Sequence, residues 1–136
     1  MPYCRLYYHI IWATDKREPM ILPEIEQEVH LAIERKTKSL GADMYAISGT
    51  EDHIHISVSI PPNISVSKFV GEIKGSSSFH INHLPGNEYT LDWQRGYGAV
   101  TFRKENLEQV NEYIKNQKEH HKLGSTWPSL ENCDDN

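Results

Sequence analysis

A chain of 136 residues fits one compact domain and is long enough to bury a core without disulfide or structural-metal staples. Its two cysteines, Cys4 and Cys133, stand at opposite ends with no CxxC spacing, which gives neither a disulfide framework nor a thiolate zinc site. A formal charge of −5 runs against a uniformly basic nucleic-acid binder, so a phosphate-facing surface would have to be local: Glu131, Asp134 and Asp135 fall in a polar tail, whereas Lys115, Lys118 and Lys122 line one helical segment.

In chain order, the β-branched and aromatic residues 3–13 (YCRLYYHIIWA) predict a first strand, closed by the polar loop Thr14-Asp15-Lys16-Arg17. Residues 23–40 carry apolar positions at helical spacing, with Pro23 suited to the first turn and Gly41 to the stop. Two extended stretches, 42–49 and 53–60, flank the turn Thr50-Glu51-Asp52 and read as a hairpin. Pro61-Pro62-Asn63 ends the second of them. Ser65 or Ser67 then suits the cap of a helix running to about Leu84. The segment 91–102 (LDWQRGYGAVTF) reads as a strand broken by Gly96 and Gly98, and a last helix follows Asn106 to about Lys122. The order βαββαβα predicts an α+β fold: a ferredoxin-like antiparallel sheet with helices on one face, plus a C-terminal helix. Residues 1–124 are expected to form one domain and 125–136 a polar tail. No charged-then-apolar leader opens the chain, and no apolar run approaches the roughly 18 residues that a spanning helix needs, so a cytoplasmic protein with no membrane partner is the expectation.

Within 53–60 (HIHISVSI) the alternation is strict, sending His53, His55, Ser57 and Ser59 to one face and the isoleucines and valine to the other. Two imidazoles on one face of a strand are able to converge on a divalent cation. Alone, a His-x-His pair is also what a solvent-facing or sheet-packed pair looks like; here the polar face offers nothing else bulky, which predicts an open site. On the last helix Tyr113 and Gln117 lie one turn apart and border the stripe Leu107, Val110, Ile114. From that helix alone the simpler reading is a core-edge ring and a solvated amide. A tyrosine oxygen nevertheless becomes a nucleophile once a base or cation offsets its high pKa. His9 reads as a half-buried strand histidine with a place behind the metal-facing residues as the alternative, His120 and His121 as helix-end residues, and Asp52 as turn chemistry or a carboxylate donor. Trp93, Tyr97 and Phe102 read as core aromatics, with base stacking as the alternative.

These constellations occur together in one family. The triplet HIH at 53–55, SIPPNISVSKFVGEIKGSSSF at 59–79, WQRGYGAVTF at 93–102, YIKNQKEHHK at 113–122 and YYHIIWATDKREPM at 7–20 resemble, in order, the blocks of the insertion-sequence 200-like, single-tyrosine HUH transposases. The resemblance spans about residues 3–123. It implies that His53, His55 and Gln117 bind a divalent metal, Mg2+ or Mn2+, and that Tyr113 is the catalytic nucleophile. The implied reaction cleaves and rejoins single-stranded DNA at the ends of a small insertion sequence through a covalent 5′-phosphotyrosine intermediate. It also implies DNA contacts from Lys16, Arg17 and the Lys74-Gly75-Ser76-Ser77 region, a hairpin at the element ends as the partner, and a homodimer in which the histidines of one subunit face Tyr113 of the other. The alternative is a domesticated relative that binds structured single-stranded DNA without transposing. An RNA-binding ferredoxin-like domain would show an exposed aromatic pair where this chain has histidines.

Overall fold

A computed structural model describes residues 4–117. Strand β1 (Tyr7–Ala13) leads through a one-turn 3-10 helix (Asp15–Arg17) to helix α1 (Pro23–Ser39). The hairpin β2 (Asp43–Gly49) and β3 (His53–Ser59) follows, then α2 (Val66–Asn82), β4 (Gly98–Phe102), a second 3-10 turn (Lys104–Asn106) and α3 (Leu107–Lys115). The sheet order is β2-β3-β1-β4, with every neighbouring pair antiparallel. This is the ferredoxin-like arrangement that the element order predicts.

Local chemistry accounts for the boundaries. Pro23 occupies the first turn of α1, where its missing N–H costs nothing. Gly41, at φ +78°, takes the left-handed conformation that ends the helix. At the start of α2, Ser65 Oγ accepts from Lys68 N at 3.1 Å, satisfying one of the first-turn N–H groups.

The two faces of the sheet are covered differently. One carries Ile10, Trp12, Ile54, Ile56 and Val58 against Val29 and Ile33 of α1 and Phe69, Ile73 and Ile81 of α2, forming the main core. On the other, α3 sets Val110 and Ile114 against Ala46 of β2. The strand register gives this second face His53, His55 and Ser57 from β3, and Tyr7, His9, Ile11 and Ala13 from β1. Every residue expected to carry chemistry on a strand therefore lies under or beside α3.

Two elements differ from the sequence expectation. The last regular strand begins at Gly98, not at residue 91: Trp93 still bridges to Thr14 just past β1, but the pairing is interrupted between there and Gly98. Leu91 N donates to the Asn82 side chain at 2.8 Å, Gln94 N donates to the Ala13 carbonyl at 2.9 Å, and Gly96 turns at φ +88°. The last helix is described only as far as Lys115, with Gln117 the last described residue. Lys118, His120, His121, Lys122 and the tail expected over 125–136 lie outside the described residues.

Candidate active site

His53 opens β3, directly after the Thr50-Glu51-Asp52 turn. Its Nδ1 lies 2.7 Å from Asp52 Oδ1 and 2.9 Å from Thr50 Oγ1, and the Thr50 hydroxyl donates to the same carboxylate oxygen at 3.0 Å. An Nδ1–H donated to the carboxylate leaves Nε2 as the lone-pair nitrogen, on the far side of the ring. Burial pushes the Asp52 carboxyl up, but the hydrogen bonds from His53 and Thr50, with the nearby Arg17 charge, outweigh it and hold the pKa below its ordinary value. Asp52 is thus an ionised acceptor for His53. It orients a ring, which is a different job from both sequence readings of this residue.

His55 is fully buried, and its Nδ1 lies 2.8 Å from Nε2 of His9. His53 and His55 have ring centroids 5.0 Å apart with planes at 70°. The ring of Tyr113 meets His55 edge-on at 6.2 Å and His9 at 6.4 Å. Strand alternation placed His53 and His55 on one face; what brings Tyr113 to that face is α3, held by Val110 and Ile114 and by a hydrogen bond from Ser57 Oγ to Asn111 Oδ1. Gln117, one turn past Tyr113, is buried, and among the described residues its Oε1 has no hydrogen-bond partner.

This arrangement differs from the open site expected from the sequence. His53, His55, Tyr113 and Gln117 are each at most 2% exposed, because α3 lies over the histidine face instead of beside it. Within the single chain, Tyr113 lies against the chain's own histidines, and Val110 and Ile114 of the helix are seated on its own sheet.

The basic residues are dispersed. Lys16 and Arg17 are exposed in the 3-10 turn, with φ of 55° and 53°, and Arg17 lines a cleft of about 460 Å³ with Pro19, Thr50, Glu51 and Asp52. Lys74 is on α2, across the sheet, where its Nζ donates to the carbonyls of Gln94 at 2.9 Å and Gly96 at 2.6 Å. Ser77 is buried and donates to the Ile73 carbonyl, so it presents no hydroxyl at the surface. Trp93 packs edge-on to Trp12 at 5.9 Å with its Nε1 donating to Ser77 Oγ, Tyr97 packs against the main core, and Phe102 stacks on Tyr7. All three aromatics follow the core reading.

Residues 3–117 match the family described as "Transposase IS200 like". Over 122 residues the chain is 32% identical to the transposase for insertion sequence element IS200 of Salmonella typhimurium, covering 86% of this chain and 80% of that protein. It belongs to the IS200-like transposase family. Two solved structures share the fold, each with a TM-score of 0.64. A Deinococcus radiodurans R1 chain matches at 24% identity over 85% of this chain and 93% of that one. The REP-associated tyrosine transposase bound to a REP hairpin matches at 18% identity over 94% of this chain and 78% of that one.

For a transposase, the site has donors suited to a cation. Among the described residues no cluster of three or more His, Cys, Asp or Glu is arranged to hold a metal; the donors that the family resemblance points to are two imidazoles and one amide oxygen. The donor set fits: both histidine Nδ1 atoms are engaged on the side away from Nε2, and Gln117 buries an amide oxygen that is without a hydrogen-bond partner among the described residues. Sequence reasoning did not assign Asp52, Thr50, Ser57 and Asn111 their hydrogen-bonding parts. The only sequence signal for His9 was its parity along β1, which puts it on the face of Ile11 and Ala13.

Proposed function

We propose that this transposase cleaves and rejoins single-stranded DNA by transesterification, with Tyr113 as the nucleophile and His53, His55 and Gln117 as ligands of one Mg2+ or Mn2+ ion. The observation that carries the reading is the edge-on placement of the Tyr113 ring against His55 and His9 in one buried cluster. A tyrosine of purely structural use has no need of a face lined with three imidazoles.

A divalent cation held there supplies charge that offsets the negative charge building on the scissile phosphate. The chain's own residues do the rest. Asp52 holds the His53 ring by its Nδ1 atom, and α3 carries the Tyr113 ring to the same face. As the bond from the tyrosine oxygen to phosphorus forms, the bond from phosphorus to the 3′-oxygen breaks. The proton lost by the phenol is balanced by the one gained at the new 3′-hydroxyl. The DNA 5′ end remains on Tyr113 as a phosphodiester, so attack by another 3′-hydroxyl rejoins strands without an external energy source. Tyr113 and both histidines are buried in the chain without DNA.

The DNA partner in this reading is a single strand carrying a hairpin at the element ends, met near the site by Lys16 and Arg17. Lys74, bound to the carbonyls of Gln94 and Gly96, would contribute by shaping the 92–97 loop more than by a direct phosphate contact. Pairing of two copies as a homodimer rests on the family resemblance; completion of the site by a second copy is not required by the within-chain geometry.

The test incubates the purified protein with Mn2+ and a 5′-labelled or 3′-labelled single-stranded hairpin oligonucleotide and looks for a protein–DNA adduct that survives denaturation. Wild type is expected to give an adduct retaining the 3′-labelled fragment, and chelation of the metal to prevent it. Tyr113→Phe should give none while still shifting the oligonucleotide in a binding assay, and His53→Ala and His55→Ala should each abolish the adduct. An adduct that persists in Tyr113→Phe would overturn the assignment.

A further inference from the structure

We propose that His9 is a positioning residue for the metal site: its Nε2 accepts the Nδ1 proton of His55 and thereby selects the tautomer in which His55 presents a lone pair at Nε2. The inference deepens the ligand reading of His55 and rests on it.

The geometry is specific. The two nitrogens are 2.8 Å apart, while the ring centroids are 5.0 Å apart and the planes only 12° from parallel. Rings stacked face to face do not bring two nitrogens to hydrogen-bond distance at so long a centroid separation, so these meet edge to edge in nearly one plane. A single N–H lies along that line. Both residues are at most 1% exposed, which keeps solvent from competing for it.

Two arrangements of that proton exist for neutral rings. If His9 were the donor, His55 would carry its own proton on Nε2 and have no lone pair there for a cation. If His55 is the donor, Nε2 is bare and the proton of His9 moves to its own Nδ1. Ligation by Nε2 of His55 therefore requires His9 to accept, and the pair acts as one unit.

The two ligands are oriented by partners of different charge. His53, at the half-exposed turn, is held by the carboxylate of Asp52. His55, deeper under α3, is held by a neutral imidazole. A carboxylate at position 9 would put a buried negative charge beside the place a DNA phosphate must occupy, and in a dry site that repulsion is screened little. An imidazole orients the ring at no such cost.

The experiment compares wild type, His9→Phe and His9→Gln. Phenylalanine keeps a flat ring without an acceptor, and glutamine restores an acceptor oxygen at similar reach. Calorimetric titration with Mn2+, long-range 1H–15N spectra of the metal-free histidines and melting temperature are measured for each. Wild-type His55 is expected as the Nδ1–H tautomer. His9→Phe should weaken Mn2+ affinity by about 10- to 100-fold, and His9→Gln should recover most of it. Unchanged affinity in a folded His9→Phe, or a wild-type His55 protonated on Nε2, would overturn the proposal while leaving the ligand reading in place. Absence of Mn2+ binding by wild type would overturn the ligand reading itself, and the proposal with it. Should His9→Phe fail to fold, the tautomer measured in wild type decides the matter alone.

Discussion

Asp52 gives up its proton more readily in the folded chain than its ordinary value of 3.8 would suggest, burial notwithstanding, because His53 and Thr50 both hydrogen-bond to its carboxylate. A carboxyl with a depressed folded pKa contributes stability above its unfolded pKa, and that contribution disappears as pH falls through the folded value. Asp52→Asn should therefore melt below wild type at pH 7, and the gap should close on acidification below about pH 4. A gap that stays constant across that window would mean that charge is not what joins Asp52 to His53. The same substitution should lower Mn2+ affinity, since the ring of His53 loses its charged acceptor. At this scale the sequence was legible wherever parity alone decides, as for His53 and His55, and mute wherever a partner lies far along the chain. The bond between His9 and His55 spans 46 residues, and only the β1–β3 register reveals it. The buried state of Tyr113 was hidden for a similar reason: helical spacing put the residue at the edge of an apolar stripe, but not what the stripe would cover.

The β2–β3 hairpin is the element that sets His53. Gly49, the last residue of β2, lies so close to the opposite strand that an added Cβ would sit 2.1 Å from the His53 carbonyl oxygen. No side-chain rotation relieves a clash with backbone, so Gly49→Ala must push the strands apart just where the first histidine is fixed. We expect it to weaken Mn2+ binding and adduct formation and to lower the melting temperature; a variant with wild-type metal affinity would show that the hairpin yields without moving His53. Helix α3 is the other element that matters. Its contacts with the sheet include Val110 and Ile114 on Ala46, the Tyr113 ring against His55 and His9, and the bond between Ser57 and Asn111. Ser57 is fully buried, so Asn111→Ala leaves a hydroxyl in search of a partner, at a cost of about 1–3 kcal/mol. In a double-mutant cycle with Ser57→Ala the coupling should come to about 0.5–1.5 kcal/mol, and zero coupling would remove the bond from the account. Element types and order followed from periodicity, capping and turn residues. The start of β4 did not: Trp93 and Gln94 still pair with the end of β1, but the turn at Gly96 interrupts the ladder before Gly98.

Across the whole molecule the sheet divides two tasks. One face and its two helices make the main core; the other face, with α3, holds the histidines and Tyr113. If each chain completes its own site, mixing a His53→Ala, His55→Ala protein with a Tyr113→Phe protein should restore no cleavage, even where subunits exchange. Recovery toward half of the wild-type rate per mixed dimer would instead show that α3 crosses between copies. Net charge, a property of the whole molecule, predicted little about this site, since the −5 of the chain averages over surfaces that a DNA strand never meets. The measurement that bears most directly on the account is the location of the covalent bond. The adduct formed with Mn2+ is digested with nuclease and protease, and the modified peptide is sequenced by tandem mass spectrometry. The account predicts a nucleotide joined through its 5′-phosphate to Tyr113; the same mass on Tyr7, Tyr8 or Tyr97, or a nucleotide joined through its 3′-phosphate, would contradict it.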